Sequence, residues 1–194
     1  MNIQKMISRF SLCLAWCILA VAPAFAQTIT HIPLFTFDGD SAGDNFGRSV
    51  SGAGDVNGDG VADLIAGARR DDNNGDDSGS VRVFSGVDGS VLYNFDGDSA
   101  GDGFGTFVSG AGDVNGDGYA DLIVGGGGAR VFSGFDGSVL YNLESAFSVS
   151  GAGDVNGDGF ADLIAGADAP NLLLARSPRS PLGISMEFLE STVR

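Results

Sequence analysis

Cysteine, histidine and tryptophan are scarce in this chain of 194 residues. Its two cysteines, Cys13 and Cys17, both lie within the first 26 residues, and His31 is the single histidine. Residues 27–194 therefore cannot be cross-linked by disulfides, which leaves a metal ion as the candidate cross-link. They also offer no cysteine nucleophile, and we expect His31 to be exposed at an extended edge. We predict that the chain is not an enzyme.

Positive charge is scarce as well. Residues 27–194 contain 8 arginines against 25 aspartates and glutamates, a net charge of −17. A charge of this sign repels nucleic acid and anionic membrane surfaces and attracts divalent cations. Acidic chains are often disordered, but valine, leucine, isoleucine and phenylalanine recur here at strand-like spacing. We therefore predict a folded protein with no nucleic-acid partner.

The first 26 residues have the pattern of a signal peptide. Lys5 and Arg9 precede an apolar run at residues 10–21, and Ala24-Phe25-Ala26 is a small-x-small cleavage signal, so cleavage is predicted before Gln27. The apolar run is short for a membrane span, which favours a cleaved leader over a retained anchor. The predicted location is secreted or cell surface, with no stable membrane span after cleavage.

A block of fifteen residues, Ser-Gly-Ala-Gly-Asp-Val-Asn-Gly-Asp-Gly-x-Ala-Asp-Leu-Ile, occurs three times. It occupies residues 51–65, 109–123 and 150–164, and only its eleventh position varies, as Val61, Tyr119 and Phe160. A fixed internal repeat indicates an architecture in which one unit is stacked on the next.

Strand patterns punctuated by Gly, Asp and Asn recur around each block. They predict strands at 48–54, 63–68, 80–85 and 90–95, then at 106–112, 121–126, 130–133 and 138–143, then at 147–153 and 162–167, with an outer strand at 32–37 before them. Four-stranded units at this period are typical of propeller blades. The predicted fold class is all-β: a partial β-propeller at 27–170, with repeats at about 35–95, 96–143 and 144–170, comprising two full four-stranded blades plus partial ones.

Residues 171–194 differ in composition. The Gly/Asp pattern ends there, and Pro178 and Pro181 appear. We predict a disordered tail, for which a truncated or frame-shifted gene end is favoured over a basic docking segment.

Each block also places oxygen donors at alternate positions of a Gly-rich loop, which is what Ca²⁺ requires. Counting Asp55 as loop position 1, side-chain oxygens occur at positions 1, 3, 5 and 9, and a backbone carbonyl is available at position 7. The predicted ligands, for about one Ca²⁺ per loop at three candidate sites, are Asp55, Asn57, Asp59, Val61 and Asp63, then Asp113, Asn115, Asp117, Tyr119 and Asp121, then Asp154, Asn156, Asp158, Phe160 and Asp162.

An EF-hand and a metal-free tight turn are the two alternatives to this metal loop. An EF-hand needs an acid at position 12, where this chain has Ala66, Val124 or Ala165, and the following Leu-Ile predicts a strand. Asp, Asn and Gly can also form tight turns without a metal. However, three carboxylates converging on one loop would repel each other without a cation, which favours the metal.

Two acidic runs and four aromatic residues lie outside the repeated block. The acidic runs Asp38/Asp40/Asp44 and Asp96/Asp98/Asp102 are interpreted as solvated connections between blades, in preference to additional cation ligands. Four aromatic residues are predicted to pack between blades and not to bind a ligand: Phe46, Phe84, Phe104 and Phe132.

Residues 35–167 carry a family resemblance. Phe46-Gly47 and Phe104-Gly105, each followed by Gly-Asp-Val-Asn-Gly-Asp-Gly and then by Asp-Leu-Ile, resemble the FG-GAP repeats of integrin α-subunit propellers and their bacterial relatives. The chain departs from that pattern at Phe147-Ser148, which replaces Phe-Gly, and at Gly125-Gly126, which replaces Gly-Ala. It also supplies between two and three blades, whereas integrin-type propellers close with about seven.

The resemblance implies a non-enzymatic role in adhesion or extracellular recognition, with structural Ca²⁺ and an unidentified extracellular protein or glycan as partner. A carbohydrate-binding or enzyme-associated module of a secreted hydrolase system is the alternative, and a truncated propeller fragment without independent function is another. Because an incomplete stack exposes apolar surface, self-association through open blade edges is also expected.

Overall fold

The structure, a computed structural model, describes residues 34–143, 146–167 and 172–175. Residues 34–36 belong to a separate unit and form no helix or strand, and every described strand lies in the unit that begins at Phe37. The predicted signal peptide, His31 and both cysteines lie outside the described residues.

The described chain is all-β and forms three antiparallel sheets, which we call blades 1, 2 and 3. Blade 1 has the order β1-β2-β3-β4, with strands Ser49–Gly54, Asp63–Ala68, Ser80–Phe84 and Val91–Asp96. Blade 2 has the order β5-β6-β7-β8, with strands Phe107–Gly112, Asp121–Gly125, Ala129–Phe132 and Val139–Leu143. Blade 3 consists of β9 (Ala146–Gly153), β10 (Asp162–Ala167) and β11 (Leu172–Ala175), with β10 in the middle of the sheet. The predicted all-β fold of repeated antiparallel units is confirmed.

Two sequence predictions were wrong at the ends of this region. The third repeat was expected to have two strands, but β11 pairs with β10 and adds a third. Its sequence, Leu-Leu-Leu-Ala, lacks the Gly/Asp punctuation that marked the other strands, so the prediction of a structureless tail from residue 171 missed it. Conversely, residues 34–37 of the outer strand predicted at 32–37 form no strand, and residues 32 and 33 lie outside the described range.

Consecutive blades pack face to face through apolar side chains. Between blades 1 and 2 the buried cluster is Ala53, Val56, Ile65, Val81, Val83, Phe104, Val108, Leu122, Val124 and Phe132. Between blades 2 and 3 it is Ala111, Val114, Ile123, Ala129, Val131, Leu143, Ala146, Val149, Leu163 and Ala165. The first strands β1, β5 and β9 lie next to one another in that order. Among the described residues this stack of blades is not closed into a ring.

Aromatic residues take part in the packing of blade 2 on blade 1 and of blade 1 on the residues that precede it. Phe132 stacks on Phe95 with ring centroids 4.2 Å apart and meets Phe104 edge-on at 6.1 Å, while the Arg130 guanidinium lies 4.5 Å from the Phe104 ring centroid. The equivalent stacked pair of blade 1 joins Phe84 and Phe37 at 4.0 Å. Phe104 and Phe132 thus pack between blades 1 and 2, as predicted, whereas Phe84 packs against Phe37 and Phe46, which precede the first strand of blade 1.

Every blade therefore has two different faces. We call the one that packs on the preceding blade the front face and the other the back face. On the front face of blade 2, Val108 is 7% exposed and Leu122 is 0% exposed, whereas their equivalents on blade 1, Val50 and Leu64, are 64% and 39% exposed. On the back face, Val114 of blade 2 is 0% exposed, and its equivalent on blade 3, Val155, is 60% exposed.

Candidate metal-binding loops

The predicted metal loops connect β1 to β2, β5 to β6 and β9 to β10. Each turns sharply at the glycines of positions 4 and 6, which adopt positive φ, for example 74° at Gly58 and 86° at Gly60. Side chains with a Cβ rarely adopt this conformation, so the two glycines fix the loop's path. The donors of each loop thus lie in one short turn at the same end of the three blades' first hairpins.

The aspartate at position 1 binds the backbone of its own loop. Asp113 Oδ1 accepts the N–H groups of Gly116 at 2.6 Å and Asp117 at 3.1 Å, and its Oδ2 accepts that of Gly118 at 2.9 Å. Asp154 accepts the same three bonds, and Asp55 accepts those from positions 5 and 6. These bonds shape the turn around the carboxylate.

Positions 3 and 5 are linked to each other in the first two loops. Asn115 Oδ1 accepts the N–H of Asp117, and Asn115 Nδ2 donates to Asp117 Oδ2, both at 2.8 Å. Asp117 Oδ1 in turn accepts the N–H of Tyr119 at 2.9 Å. Asn57, Asp59 and Val61 repeat the arrangement. The predicted use of the Val61, Tyr119 and Phe160 carbonyls as metal ligands stays a prediction.

The aspartate at position 9 is buried and joins two parts of its blade. Asp121 Oδ2 accepts the N–H of Val114 at 2.8 Å, and its Oδ1 accepts that of Gly134 at 3.0 Å, in the turn after β7. Asp63 binds Val56 and Gly86 in the same way. These predicted closing ligands thus also fasten the loop to the outer hairpin, a role that the spacing of the block did not reveal.

Burial raises the pKa of the Asp121 carboxyl to about 6, with Asp117 and Asp113 adding to the rise and the two backbone N–H groups opposing it. Because this pKa lies above the usual 3.8, the folded chain binds more protons than the unfolded chain between about pH 4 and pH 6. The contribution of this group to stability is present below about pH 4 and is lost as the pH rises to about 6. Urea unfolding in calcium-free buffer should show this fall in the wild type, and a D121N variant with the same pH slope would contradict it.

The third loop differs from the other two. Among the described residues of blade 3, no glycine N–H after the third strand donates to Asp162, as Gly86 and Gly134 donate to Asp63 and Asp121. Asn156 Nδ2 instead donates to Asp162 Oδ1 at 3.1 Å, while Asp162 Oδ2 accepts the N–H of Val155 at 2.9 Å. The Asn156 Nδ2 therefore does not donate to Asp158, although Asn156 Oδ1 still accepts the Asp158 N–H at 2.9 Å. As a result, Asp158 Oδ2 is shielded from solvent and has no hydrogen-bond partner in the described part of the chain.

The donor set suits a hard cation. Each carboxylate oxygen that accepts one backbone N–H keeps a further lone pair, and Ca²⁺ prefers carboxylate and carbonyl oxygens. The carboxylate Oδ2 of Asp158 is a buried acceptor without a donor, which costs free energy unless a cation or proton satisfies it. The residues present therefore fit Ca²⁺, at positions 1, 3, 5, 7 and 9 of each loop.

Other acidic residues form a different pattern. Within the described ranges, one group of three acids has ligand oxygens within 4.8 Å of one another, namely the exposed Asp72, Asp76 and Asp77 between β2 and β3. The three acids of any one repeat loop do not meet that distance. In the two acidic runs, Asp40 pairs with Arg82 and Asp98 with Arg130, and Asp44 and Asp102 accept backbone N–H groups of their own turns. The run at 96–102 connects blade 1 to blade 2, as predicted, whereas the run at 38–44 precedes blade 1 and its Asp44 is buried instead of solvated.

The loops also contact one another, which sequence analysis did not foresee. The N–H at position 8 donates to the carbonyl at position 1 of the preceding loop, from Ala120 to Asp55 and from Ala161 to Asp113, both at 3.0 Å. The position 7 side chain covers position 4 of the preceding loop: a Cβ on Gly58 would lie 2.6 Å from Tyr119 Cε1. The one sequence feature that could have indicated this contact between loops is position 7, the only position of the fifteen-residue block that varies.

A protein-family model for the FG-GAP repeat matches residues 46–84, 104–141 and 146–177, which together are more than half of the chain. The chain belongs to the FG-GAP repeat family. Each match falls on a different blade, although the first ends before β4, and the last includes β11, which supports its place as a blade strand. FG-GAP repeats typically occur in extracellular or surface proteins and are generally non-enzymatic. Among the described residues, no helix has the length and apolar character needed to cross a bilayer.

Proposed function

We propose that this FG-GAP protein is a calcium-stabilised, non-enzymatic recognition module that acts outside the cell, in adhesion or in binding an extracellular ligand. The calcium would be structural, held by the loops that join the first two strands of each blade. The observation that carries the proposal is the shielded Asp158 Oδ2, an anionic oxygen without a donor, in a loop whose sequence and backbone bonds recur in two other blades.

The chemistry that bound Ca²⁺ supplies is charge neutralisation. Residues 27–194 carry a net charge of −17, and each loop concentrates three carboxylates in nine residues. Such self-repulsion destabilises a compact state, and a divalent cation offsets it. The aspartates at positions 1, 5 and 9 would bind and orient the ion, while their backbone bonds keep the turn in shape.

Titration of the purified exported chain with CaCl₂ tests the proposal. We expect calorimetric heat with Kd values of about 10⁻⁴ to 10⁻³ M, as in extracellular modules. At ten times Kd each site should add about 1.4 kcal/mol to the free energy of unfolding, which raises the thermal midpoint.

A charge-matched pair of variants identifies the sites. D117N/D158N removes the position 5 carboxylate from two loops and should lower the number of bound ions and the midpoint shift. D88N/D136N removes the same charge from the β3–β4 and β7–β8 turns, where each aspartate accepts a serine N–H, and should bind calcium as the wild type does. Absence of heat and of a midpoint shift in the wild type, or equal loss in both variants, would refute the loop sites.

A further inference from the structure

The two open faces of this stack carry the two halves of a contact that the chain already makes twice. Wherever one blade follows another, the front face of the later blade meets the back face of the earlier one. In their first two strands and connecting loops, the front face of blade 1 and the back face of blade 3 bear the same residues at the same positions, and Val50, Leu64 and Val155 are exposed there. On the third strand of blade 1, Phe84 is covered by Phe37. Each could therefore receive the other from a second molecule.

The apolar part of the contact is the first match. At the internal interfaces the equivalents of Val50 and Leu64 are buried against the preceding blade, and the equivalents of Val155 are buried against the following one. Removing side chains of this size from water stabilises the interface that buries them. Val50, Leu64 and Val155 together thus leave apolar area on both open faces that an interface of the internal kind would remove from water.

Backbone groups provide the second match. A Cβ on Gly110 would lie 2.7 Å from the Gly52 carbonyl oxygen, and one on Gly151 would lie 2.5 Å from that of Gly110, so these glycines allow two strands to approach closely. Gly52 itself has nothing within 4 Å of such a Cβ. In the same series, Gly52 would meet the Gly151 carbonyl of another molecule.

The loops provide the third match. The internal pairs are the position 8 N–H with the position 1 carbonyl, and the position 7 side chain with the position 4 glycine. On the open faces the same groups are Ala62 N–H and Val61 at the front, and the Asp154 carbonyl and Gly157 at the back. Val61 is exposed, and a Cβ on Gly157 would meet nothing within 4 Å.

We propose that the front face of blade 1 binds the back face of blade 3 between two copies of the chain, in both directions, so that two copies form a ring of six blades. A front-to-back contact is heterologous, and such contacts make rings when the rotation closes. Propellers typically close with 4–8 blades, a range that two three-bladed copies meet and three copies exceed. No metal ion takes part in the proposed contact itself, which consists of apolar side chains, glycines and one backbone hydrogen bond.

Light scattering after size exclusion tests the assembly with the purified exported chain. The wild type is expected to have the mass of two copies, and V155R and L64R, each blocking one face, the mass of one. V139R is the matched control, because Val139 is an equally exposed valine on the outer strand of the middle blade, and it should behave as the wild type does. G52A adds one methyl group and should weaken association about tenfold or more.

Mixing the two blocked variants distinguishes a specific contact from misfolding. V155R keeps an intact front face and L64R an intact back face, so an equimolar mixture should form a two-copy species through one interface, with weaker association than the wild type. A single-copy wild type would overturn the proposal, whether its faces stay open or are covered by residues outside the described ranges. Association that persists in V155R, or assemblies that keep growing with concentration, would overturn it too.

Discussion

Replacing Asp121 with alanine should lower the free energy of unfolding by about 3–5 kcal/mol in calcium-free buffer. The substitution removes the carboxylate that accepts two buried N–H groups, those of Val114 and Gly134, at about 1–3 kcal/mol each, and it adds a small cavity. Release of a buried charge that lies near Asp113 and Asp117 offsets part of this cost, since burial raises the pKa of Asp121. Urea unfolding followed by far-UV circular dichroism measures the difference.

Two related variants make this test specific. D117A removes an exposed carboxylate from the same loop and should change the free energy of unfolding by much less. D162A should lie between them, because Asp162 is bonded to Val155 and Asn156 of its own loop and not to an outer hairpin. If D121A and D117A unfold at the same urea concentration, the fastening of loop to hairpin by Asp121 is wrong, and metal binding is what remains for this carboxylate.

The second large effect is expected from Gly110→Ala, which should cost about 2–3 kcal/mol. The added Cβ would lie 2.7 Å from the carbonyl oxygen of Gly52 and 3.0 Å from that of Ala53. Both contacts are with backbone, so no side chain can rotate away, and blades 1 and 2 must separate along β5. Overpacking of this kind typically costs about 1–3 kcal/mol, and here it also loosens the apolar cluster beside it.

The chain contains its own control for this substitution. Gly52, Gly110 and Gly151 occupy the same position of the same Ser-Gly-Ala-Gly-Asp segment, and none of the three has a positive φ. G151A should resemble G110A, whereas G52A should change the free energy of unfolding by about 0.5 kcal/mol or less. The measurement is made at a concentration at which the wild type is a single copy. Equal losses in G52A and G110A would show that strand propensity, and not blade contact, is responsible.

Most of the fold was predictable because it is encoded locally. Gly, Asp and Asn at the turns and alternating apolar residues between them placed ten of the described strands to within about a residue or two. Strand β11 escaped because its partner β10, and not its own composition, makes Leu172–Ala175 a strand. The strand predicted at residues 34–37 is absent for the opposite reason, because a strand-like sequence forms a strand only where a neighbouring strand pairs with it.

The candidate site was predictable in composition but not in connection. The repeat identified the candidate oxygen ligands of each loop and the glycines at which the loop turns. It could not show that Asp63 binds Gly86, because the two are 23 residues apart and meet only when the outer hairpin packs against the loop. Nor could three identical blocks reveal that Asp158 would be the one whose Oδ2 lacks a donor, because that difference comes from the blade around the loop.

The contact between blades relies on backbone carbonyls, glycines and one variable side chain, and every blade carries both halves of it. A tandem duplication of one repeat would therefore add a blade without any new surface having to arise. The position 7 residue, valine, tyrosine or phenylalanine in the three copies, could then change to tune one junction while the rest stayed the same. Duplication of a repeat therefore copies the contact between blades together with the blade.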